Sequence, residues 1–381
     1  MKYIKRQVES KIRAELNRPE VLIILGPRQV GKTTLVKKFL AEQGGEMLNM
    51  DILVDREKLT TLSKIDPSRL NAVLAPGKLL ILDEAQRVPE ISQWVKGWYD
   101  AGVKRKIILL GSSSLDILDK FSEALTGRNT KIYLLPLSWQ ELVSDQPWFV
   151  SQAPVNATLA LPLLHEAIIY GGYPAVYAQE NRQDFLINLT ADYLLKDVYS
   201  LNLVKSGELI KKLASLLAYQ VGQEVSILEL ATSLGVSRQT VEKYIEILEK
   251  SFVTFSLAAF GTNPRKEITK SKKIYFWDTG VRNTLIGQMQ PATGRVDIGQ
   301  IWENWLVADM AKQYLNPLGL PFFFWRTKAG SEVDLITKIK EELRAYEIKW
   351  SDKKKKVSQV FFRWYGQEVK LISPLIYLDS H

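Results

Sequence analysis

The sequence predicts an α/β protein built from several domains, and three observations carry this prediction. With 381 residues, the chain is too long for one compact core and suggests two or three domains. Short apolar runs of β-prone residues, VLIIL at 21–25 and LLIL at 79–82, are typical of parallel strands buried on both faces. A second set of strand patterns, beginning with PFFFWRT at 321–327, follows a long helical middle and predicts another α/β domain.

Composition and charge narrow the classes of protein. Hydrophobic residues make up 46% and charged residues 24%, which is ordinary for a globular chain. No apolar run approaches the roughly 20 residues that cross a bilayer, and the amphipathic start MKYIKRQVESKIRAEL does not resemble a signal peptide. We therefore expect a cytoplasmic protein without a membrane partner. The net charge of +9 leaves nucleic acid open as a partner, although charge alone does not establish one.

The absence of cysteine restricts the chemistry of any metal site. The chain has no Cys, and its two histidines are His165 and His381. A thiolate zinc site, a Cys nucleophile and a histidine cluster are therefore excluded. Any metal must be held by carboxylates.

A phosphate-binding loop follows the first strand directly. The segment GPRQVGKTT is a complete match to GxxxxGK[ST], with a strand pattern before it and a helical pattern after it. Gly26 and Gly31 let the backbone N–H groups face a phosphate, Lys32 reaches the β and γ phosphates, and Thr33 offers a hydroxyl to Mg²⁺. The predicted nucleotide-binding residues of the loop are Gly26, Pro27, Arg28, Gln29, Val30, Gly31, Lys32, Thr33 and Thr34.

Two acidic residues and a serine cluster follow later strands of the same domain. Asp83 and Glu84 stand at the carboxyl end of the strand in KLLILDEAQR, where open α/β sheets bind ligands. Asp83 would hold Mg²⁺ through water, and Glu84 would act as general base on the attacking water. A third strand, KIILLGSSS, ends in Ser112, whose hydroxyl would sense the γ-phosphate from between the two motifs; a serine-rich turn is the alternative. ATP and Mg²⁺ are the predicted cofactors.

Arg128 follows a predicted helix in the segment EALTGR. An adjacent subunit could receive it as an arginine finger, which would imply a homo-oligomer, either a ring or a dimer. A solvated arginine is the alternative.

The order of the phosphate loop, DEAQR, GSSS and LTGR resembles the AAA+ superfamily. It is most similar to prokaryotic, signal-transducing-ATPase-like members whose C-terminal half is a domain of unknown function, and GPRQVGKTTL, LLILDEAQR, LTGR, LPLSWQEL and GGYP carry this resemblance. The resemblance implies a P-loop AAA+ ATPase domain over residues 1–145 and a helical lid over 146–215. It also implies that Pro174, in the element Gly172–Tyr173–Pro174, packs near the adenine; a helix-ending turn is the alternative. His165 is expected to be a structural histidine of the lid.

Residues 216–285 predict a winged-helix domain. In SILELATSLGVSRQTVEKYIEIL, Gly235 forms the turn, Ser237 caps the second helix, and Val241, Tyr244, Ile245 and Leu248 recur at helical spacing. A basic hairpin follows as the wing. The predicted DNA contacts are Arg238, Gln239, Lys243, Arg265, Lys266, Lys270, Lys272 and Lys273. A helix-turn-helix used only for protein contacts is the alternative.

The last domain, residues 286–381, carries acids and a lysine in a pattern that resembles the PD-(D/E)xK, restriction-endonuclease-like fold. The carriers are Glu303 on a predicted helix, Asp334 on one strand, and Glu347 with Lys349 on the next. The resemblance implies that Glu303, Asp334 and Glu347 hold Mg²⁺ or Mn²⁺ while Lys349 activates water for attack on phosphorus. An inert nuclease-like scaffold is the alternative.

The combined prediction is an ATP-hydrolysing protein that acts on branched or foreign DNA through the winged helix and the C-terminal domain. One rival is a nucleotide-operated switch that binds protein partners, with an inactive nuclease-like scaffold. A second rival is a DNA-binding regulator with vestigial ATPase activity. DNA-stimulated turnover and fast multiple turnover distinguish these readings.

Overall fold

The computed structural model describes residues 3–111, 124–149, 156–199, 207–261, 272–314, 319–339, 342–351 and 359–379. The chain forms two compact units. The N-terminal unit is Lys5–Leu135 with Lys250–Phe252, and the C-terminal unit is Met1–Ile4, Pro136–Glu249 and Val253–His381. Within the described ranges, none of the helices combines the length and apolar character that crossing a membrane requires.

The N-terminal unit is built on a five-stranded parallel sheet. Its strands are β1 (Val21–Leu25), β2 (Gly45–Asn49), β3 (Leu79–Asp83), β4 (Lys106–Gly111) and β5 (Asn129–Tyr133). They lie in the order β2-β3-β4-β1-β5, and every pair is parallel. All residues of β1, β3 and β4 are buried, as their continuous apolar sequences predict. Strand β4 lies between β1 and β3.

Helix α1 (Glu9–Leu16) precedes the first strand. The helices between later strands are α2 (Lys32–Gln43), α3 (Leu53–Ser63), α4 (Leu70–Val73) and α5 (Ile91–Asp100). Helix α5 shows how the sequence fixes their orientation, because Ile91, Val95 and Trp98 recur at helical spacing and are buried.

The C-terminal unit begins with a helical region. It contains α6 (Trp139–Ser144), α7 (Ala157–Tyr170), α8 (Arg182–Tyr199) and α9 (Gly207–Tyr219). A later helix, α12 (Thr279–Leu285), packs against α7, α8 and α9. Because α9 spans Gly207–Tyr219, the predicted border between the lid and the winged helix, at residues 215 and 216, falls inside this helix. His165 lies on α7 beside Trp350 and is half-buried, as expected of a structural histidine.

A helix-turn-helix follows in α10 (Ile227–Leu234) and α11 (Arg238–Lys250). Gly235 ends α10 in the left-handed region, at φ 66°. The Ser237 hydroxyl accepts a hydrogen bond from the Thr240 backbone N–H at 3.1 Å and so caps α11. The predicted inner face of α11 is confirmed, because all four of its residues are buried: Val241, Tyr244, Ile245 and Leu248.

One seven-stranded sheet spans the rest of this unit. Its strands are β6 (Glu224–Val225), β7 (Thr254–Ala259), β8 (Lys272–Phe276), β9 (Phe322–Arg326), β10 (Glu332–Ile339), β11 (Glu342–Ile348) and β12 (Val369–Ile372). Their order is β12-β11-β10-β9-β7-β8-β6. The parallel pairing of β7 with β9 joins the strands of the predicted winged helix to those of the predicted nuclease-like domain.

Three further helices belong to this unit. They are α13 (Ile298–Lys312), α14 (Gln359–Tyr365) and α15 (Pro374–Asp379). A small apolar core lies beside β9, β10 and β11, and consists of Trp325, Val333, Ile336, Ala345 and Phe361. Helix α13 packs against β8, which brings Glu303 to the sheet.

Candidate functional site

The phosphate-binding loop lies between the carboxyl end of β1 and the start of α2. A Cβ atom at position 26 would lie 2.0 Å from the Leu134 carbonyl oxygen, so only glycine fits there. Gln29 and Gly31 adopt left-handed conformations with φ 60° and 93°. Two left-handed residues in so short a segment curl the backbone, as a phosphate cradle requires.

The Lys32 ammonium lies inside this loop. Its Nζ donates hydrogen bonds to the carbonyl oxygens of Gly26 and Pro27, each at 2.7 Å, and the residue is buried. The lysine is thus placed where phosphate oxygens could replace those two carbonyls.

Arg6 supports the loop from the side of the protein. Its guanidinium donates to the Val30 carbonyl oxygen at 2.9 Å and to the Leu135 carbonyl oxygen at 2.6 Å, and the side chain is buried. Arg6 was not predicted as part of the site. No motif marks it, because its role depends on a contact between segments distant in the sequence.

Thr33 and Asp83 meet at the end of the sheet. The Thr33 Oγ1 donates to Asp83 Oδ2 at 2.8 Å, and Asp83 Oδ1 accepts from the Glu84 backbone N–H at 2.9 Å. A hydroxyl and a carboxylate beside a phosphate loop are the oxygen ligands that Mg²⁺ prefers when it also binds phosphates. These two residues therefore fit a magnesium ion.

Glu84 follows Asp83 in a strained backbone conformation. Its φ is 51°, in the left-handed region that non-glycine residues seldom adopt. The Gln86 side-chain amide donates to the Glu84 carboxylate. Gln86 is thus a positioning residue that the sequence analysis missed, although it lies in the quoted DEAQR motif. Strained residues cluster at functional sites, and this one is the predicted base.

Ser112 lies outside the described residues, whereas Arg128 lies within them. The Arg128 Nε donates to Asp100 Oδ1 at 2.6 Å, and its side chain is 35% exposed. Its carbonyl oxygen accepts from the Val21 N–H at the start of β1, so Arg128 lies at the sheet edge opposite the phosphate loop. Its role as a finger for a second subunit stays a prediction.

The Gly172–Pro174 element lies in the C-terminal unit. The Gly172 N–H donates to Asp278 Oδ2 at 2.7 Å, Tyr173 is buried, and Pro174 begins a short 3₁₀ helix. A Cβ at position 172 would lie 2.4 Å from the Leu137 carbonyl oxygen. The predicted adenine contact of Pro174 stays a prediction.

The acids and lysine of the nuclease-like pattern come together on the large sheet. The Lys349 ammonium lies 3.0 Å from Asp334 Oδ2 and 2.8 Å from Glu347 Oε1. Asp334 Oδ2 also accepts from the Ile348 N–H at 2.8 Å. Glu303 interacts electrostatically with Asp334 and Lys349, so all four predicted residues belong to one charged cluster.

Three further residues of this cluster were missed. The Lys273 ammonium lies 2.6 Å from Glu332 Oε1 and 3.6 Å from Glu303 Oε1, and the Tyr275 hydroxyl donates to Glu303 Oε1 at 2.7 Å. Lys273 and Tyr275 lie two residues apart on β8, and Glu332 lies two residues before Asp334 on β10. Period-two spacing was the available signal, since it places each pair on one face of a strand.

The carboxylates of the predicted metal site are paired with lysines. Among the described residues, no three acidic or histidine side chains are arranged to hold a metal ion. Lys349 is hydrogen-bonded to Asp334 and lies within ion-pair distance of Glu347, and Lys273 contacts Glu303. The prediction that Glu303, Asp334 and Glu347 bind Mg²⁺ or Mn²⁺ stays a prediction, and in this structure their carboxylates are paired with ammonium groups.

Burial and neighbouring charges shift the pKa values of residues in this cluster. Burial raises the pKa of Glu303 to about 7, although the Lys273 ammonium acts in the opposite direction. Burial also raises the pKa of Glu347. Although burial alone would lower the pKa of Lys349, the Asp334 and Glu347 carboxylates raise it, so this lysine stays charged at neutral pH.

The predicted DNA contacts divide into three groups. Arg238, Gln239 and Lys243 are exposed on α11, and Lys272 is exposed on β8. Lys273 is 1% exposed, which does not agree with its predicted contact to DNA, because its ammonium is enclosed by carboxylates. The others lie outside the described residues: Arg265, Lys266 and Lys270.

Comparison with known proteins gives matches along most of the chain. Residues 18–143 match an AAA domain family, residues 161–292 match a domain of unknown function (DUF8612), and residues 298–376 match another (DUF4143). The uncharacterized protein Rv2008c of Mycobacterium tuberculosis is 27% identical over 355 residues, covering 91% of this chain and 74% of the relative. The uncharacterized protein MJ1544 of Methanocaldococcus jannaschii is 26% identical over 288 residues, covering 71% and 63%.

Among solved structures, similarity is found to a Signal Transduction ATPase with Numerous Domains (STAND) protein from Pyrococcus horikoshii. It is 11% identical and covers 83% of this chain and 46% of that chain, with a TM-score of 0.31. That value is too low to bear on how this chain folds or acts. The AAA domain match, together with the parallel sheet and its phosphate loop, supports an AAA+ superfamily ATPase fold for residues 18–143.

Proposed function

We propose that this chain binds ATP with Mg²⁺ at the loop Gly26–Thr34 and hydrolyses it with Glu84 as general base. The observation that carries the proposal is the hydrogen bond between Thr33 and Asp83, 2.8 Å long, beside the buried Lys32. These three groups supply the cation and the two oxygen ligands that a bound Mg²⁺ and nucleotide require.

The residues of the loop would act by exchange of partners. Lys32 would leave the Gly26 and Pro27 carbonyls for phosphate oxygens, while the backbone N–H groups of the loop would bind the phosphates. Mg²⁺, held by Thr33 and, through water, by Asp83, would neutralise charge on the β and γ phosphates. Glu84 would take a proton from the attacking water, with its carboxylate held by Gln86.

We further propose that hydrolysis is coupled to DNA through α11. The support is the exposed set Arg238, Gln239 and Lys243 on the second helix of a helix-turn-helix, with Lys272 exposed on a neighbouring strand. Arg128 would complete the nucleotide site of a second copy in a ring or dimer. The large C-terminal sheet would serve as a scaffold, because its carboxylates are neutralised by lysines.

A second function, a nucleotide-operated switch that binds a protein partner, is favoured by a different observation. The exposed residues of α11 include Glu242 and Glu246 besides its cations, and a surface of mixed charge suits a protein as well as a phosphate backbone. In this reading the helix-turn-helix would contact protein, and ATP would set the conformation.

One experiment separates these functions. ATP hydrolysis is measured with Mg²⁺, with and without linear, flapped and four-way-junction DNA. Turnover that rises with DNA supports the coupled function. A rate of hydrolysis that none of the DNA forms changes supports the switch. A protein that binds ATP but does not hydrolyse it under any of these conditions contradicts the ATPase assignment.

A further inference from the structure

A cavity of about 360 Å³ lies in the C-terminal unit, where residues of α9, α12 and α13 meet. Arg282 of α12 and Arg295 of the following segment line it, and these side chains are buried, with 1% and 8% of their surface exposed. Arginine is almost never buried so deeply unless it is paired. The pairing of these two arginines therefore shows what the cavity can bind.

The two arginines share one carboxylate. Arg282 Nη1 donates to Asp297 Oδ2 at 2.6 Å, and Arg295 donates to both oxygens of Asp297, each at 2.9 Å. Among the described residues that line the cavity, Asp297 is the one acid, so two positive charges face one negative charge. Burial lowers the pKa of Arg282 although Asp297 acts in the opposite direction, which means that the ion pair does not fully offset the loss of water.

Arg282 also retains capacity for hydrogen bonds. Its Nε donates to the Ala218 carbonyl oxygen at 2.8 Å, and its Nη1 donates to Asn283 Oδ1 at 3.2 Å as well as to Asp297. In the part of the chain that the structure describes, its Nη2 has no hydrogen-bond acceptor. A guanidinium group with free N–H donors is well suited to the oxygens of a phosphate.

The start of α13 adds to the positive potential of the cavity. Asp297 is the N-cap residue of this 15-residue helix but makes no capping hydrogen bond, since both of its carboxylate oxygens are bound by the arginines. The first turn carries no acidic residue, and Gln300 of that turn lines the cavity. The N-terminus of a helix favours an anion, because its backbone N–H groups lack partners within the helix.

The outer part of the cavity is formed by exposed side chains with aromatic or apolar character. Tyr219 is 59% exposed, and Val296 is fully exposed. These two residues offer a surface for a ring or an aliphatic group, whereas the buried arginines offer a surface for a charge.

We propose that this cavity binds a small organic phosphate. Its phosphate group would accept hydrogen bonds from Arg282 and lie at the start of α13, and its organic part would pack on Tyr219 and Val296. The phosphate supplies the negative charge that the two arginines and Asp297 lack.

The test is calorimetric titration of the full chain carrying Lys32→Ala, which lacks the lysine of the phosphate loop and serves as the parent. The probes are phenyl phosphate, inorganic phosphate, and benzoate, which joins the same ring to a carboxylate. We expect one equivalent of phenyl phosphate to bind at this site, and the other two probes to bind more weakly.

Two further changes in the parent locate the site. Gln300→Glu puts a carboxylate in the cavity and should weaken phenyl phosphate binding at least about tenfold, because like charges then meet. Glutamate is favourable in a first helical turn, so this variant is expected to fold. Gln313→Glu makes the same change on an exposed residue at the other end of α13 and should bind as the parent does. Arg282→Lys keeps the charge but loses Nη2, and should weaken binding about 10- to 100-fold.

The outcomes decide between the sources of the anion. A parent that binds no phenyl phosphate, or that binds it as tightly as Gln300→Glu does, overturns the proposal. Benzoate that binds as tightly as phenyl phosphate overturns the assignment to phosphate, and inorganic phosphate that binds more tightly overturns the assignment to an organic ligand. If Arg282→Lys does not fold, the comparison of Gln300→Glu with Gln313→Glu decides the question.

Discussion

Thr33 and Asp83 lie 50 residues apart in the sequence, and the Thr33 hydroxyl donates a hydrogen bond of 2.8 Å to the Asp83 carboxylate. Thr33 lies in the first turn of α2, after the phosphate loop, and Asp83 ends β3. Strand β4 lies between β1 and β3 in the sheet. Because all three strands are parallel, their carboxyl ends lie at the same edge, where Thr33 and Asp83 meet. This contact brings together the two oxygen groups that we propose hold Mg²⁺.

Glu84→Gln is expected to keep ATP binding and to lower turnover by about 10²- to 10⁴-fold, because only the proton acceptor is removed. Lys32→Ala should instead weaken ATP binding, since its ammonium no longer reaches the phosphates. Binding is measured by calorimetry and turnover by phosphate release. Glu57→Gln, an exposed change of the same chemistry on α3, is the control. Normal turnover in both site variants would show that hydrolysis occurs elsewhere.

Gly26→Ala is expected to destabilise the N-terminal unit and to weaken ATP binding. The added Cβ would lie 2.0 Å from the Leu134 carbonyl oxygen, so the loop or β5 must move. Gly97→Ala is the matched control, because a Cβ there meets no atom within 4 Å and the site is inside helix α5. Alanine at 97 should add roughly 0.5–1 kcal/mol of stability. Thermal unfolding measures both, and equal stability of the two variants would contradict the steric account.

The pH dependence of stability should report the titration of Glu303. Its pKa is about 7 in the folded protein, against an ordinary value of 4.5. Since the folded state holds this proton more tightly, the carboxyl contributes stability below the unfolded pKa and loses it as pH rises through the folded pKa. The loss amounts to at most about 3.5 kcal/mol, taking about 1.4 kcal/mol for each pKa unit between 4.5 and 7.

Glu303→Gln removes this titration and can still accept the hydrogen bond from Tyr275. We expect the difference in unfolding free energy, wild type minus variant, to fall between about pH 4.5 and pH 7. Urea unfolding across that range measures it. A difference that stays constant with pH would show that Glu303 does not titrate there.

Salt-dependent binding should identify the DNA surface. Arg238→Ala with Lys243→Ala is expected to weaken binding to all DNA sequences and to reduce the salt slope by about two, roughly one for each lost phosphate contact. Lys211→Ala with Lys212→Ala makes the same change of charge on the exposed side of α9 and is the control. Fluorescence anisotropy at several salt concentrations measures the slope. Identical slopes for the two double variants would place the DNA surface elsewhere.

Local sequence patterns were sufficient to predict several structural elements of this protein. GPRQVGKTT between a buried strand and a helix predicted the phosphate loop, and LLILDE predicted an acidic strand end, because both depend on contiguous residues. The helix-turn-helix was predicted for the same reason, with Gly235, Ser237 and the buried face of α11 as expected. Strand burial, helix capping and glycine turns are properties that a short window of sequence contains.

The tertiary structure decided which strands pair and which charged side chains form ion pairs. The pairing of β7 with β9 merges two predicted domains into one sheet, and neither strand carries a mark of its partner. Arg6 supports the phosphate loop from 24 residues away. Lys273 was predicted as a DNA contact, but packing of α13 against β8 and ion pairs with Glu303 and Glu332 bury it. Whether a charge meets solvent, a phosphate or another charge depends on segments distant in sequence, and only folding brings them together.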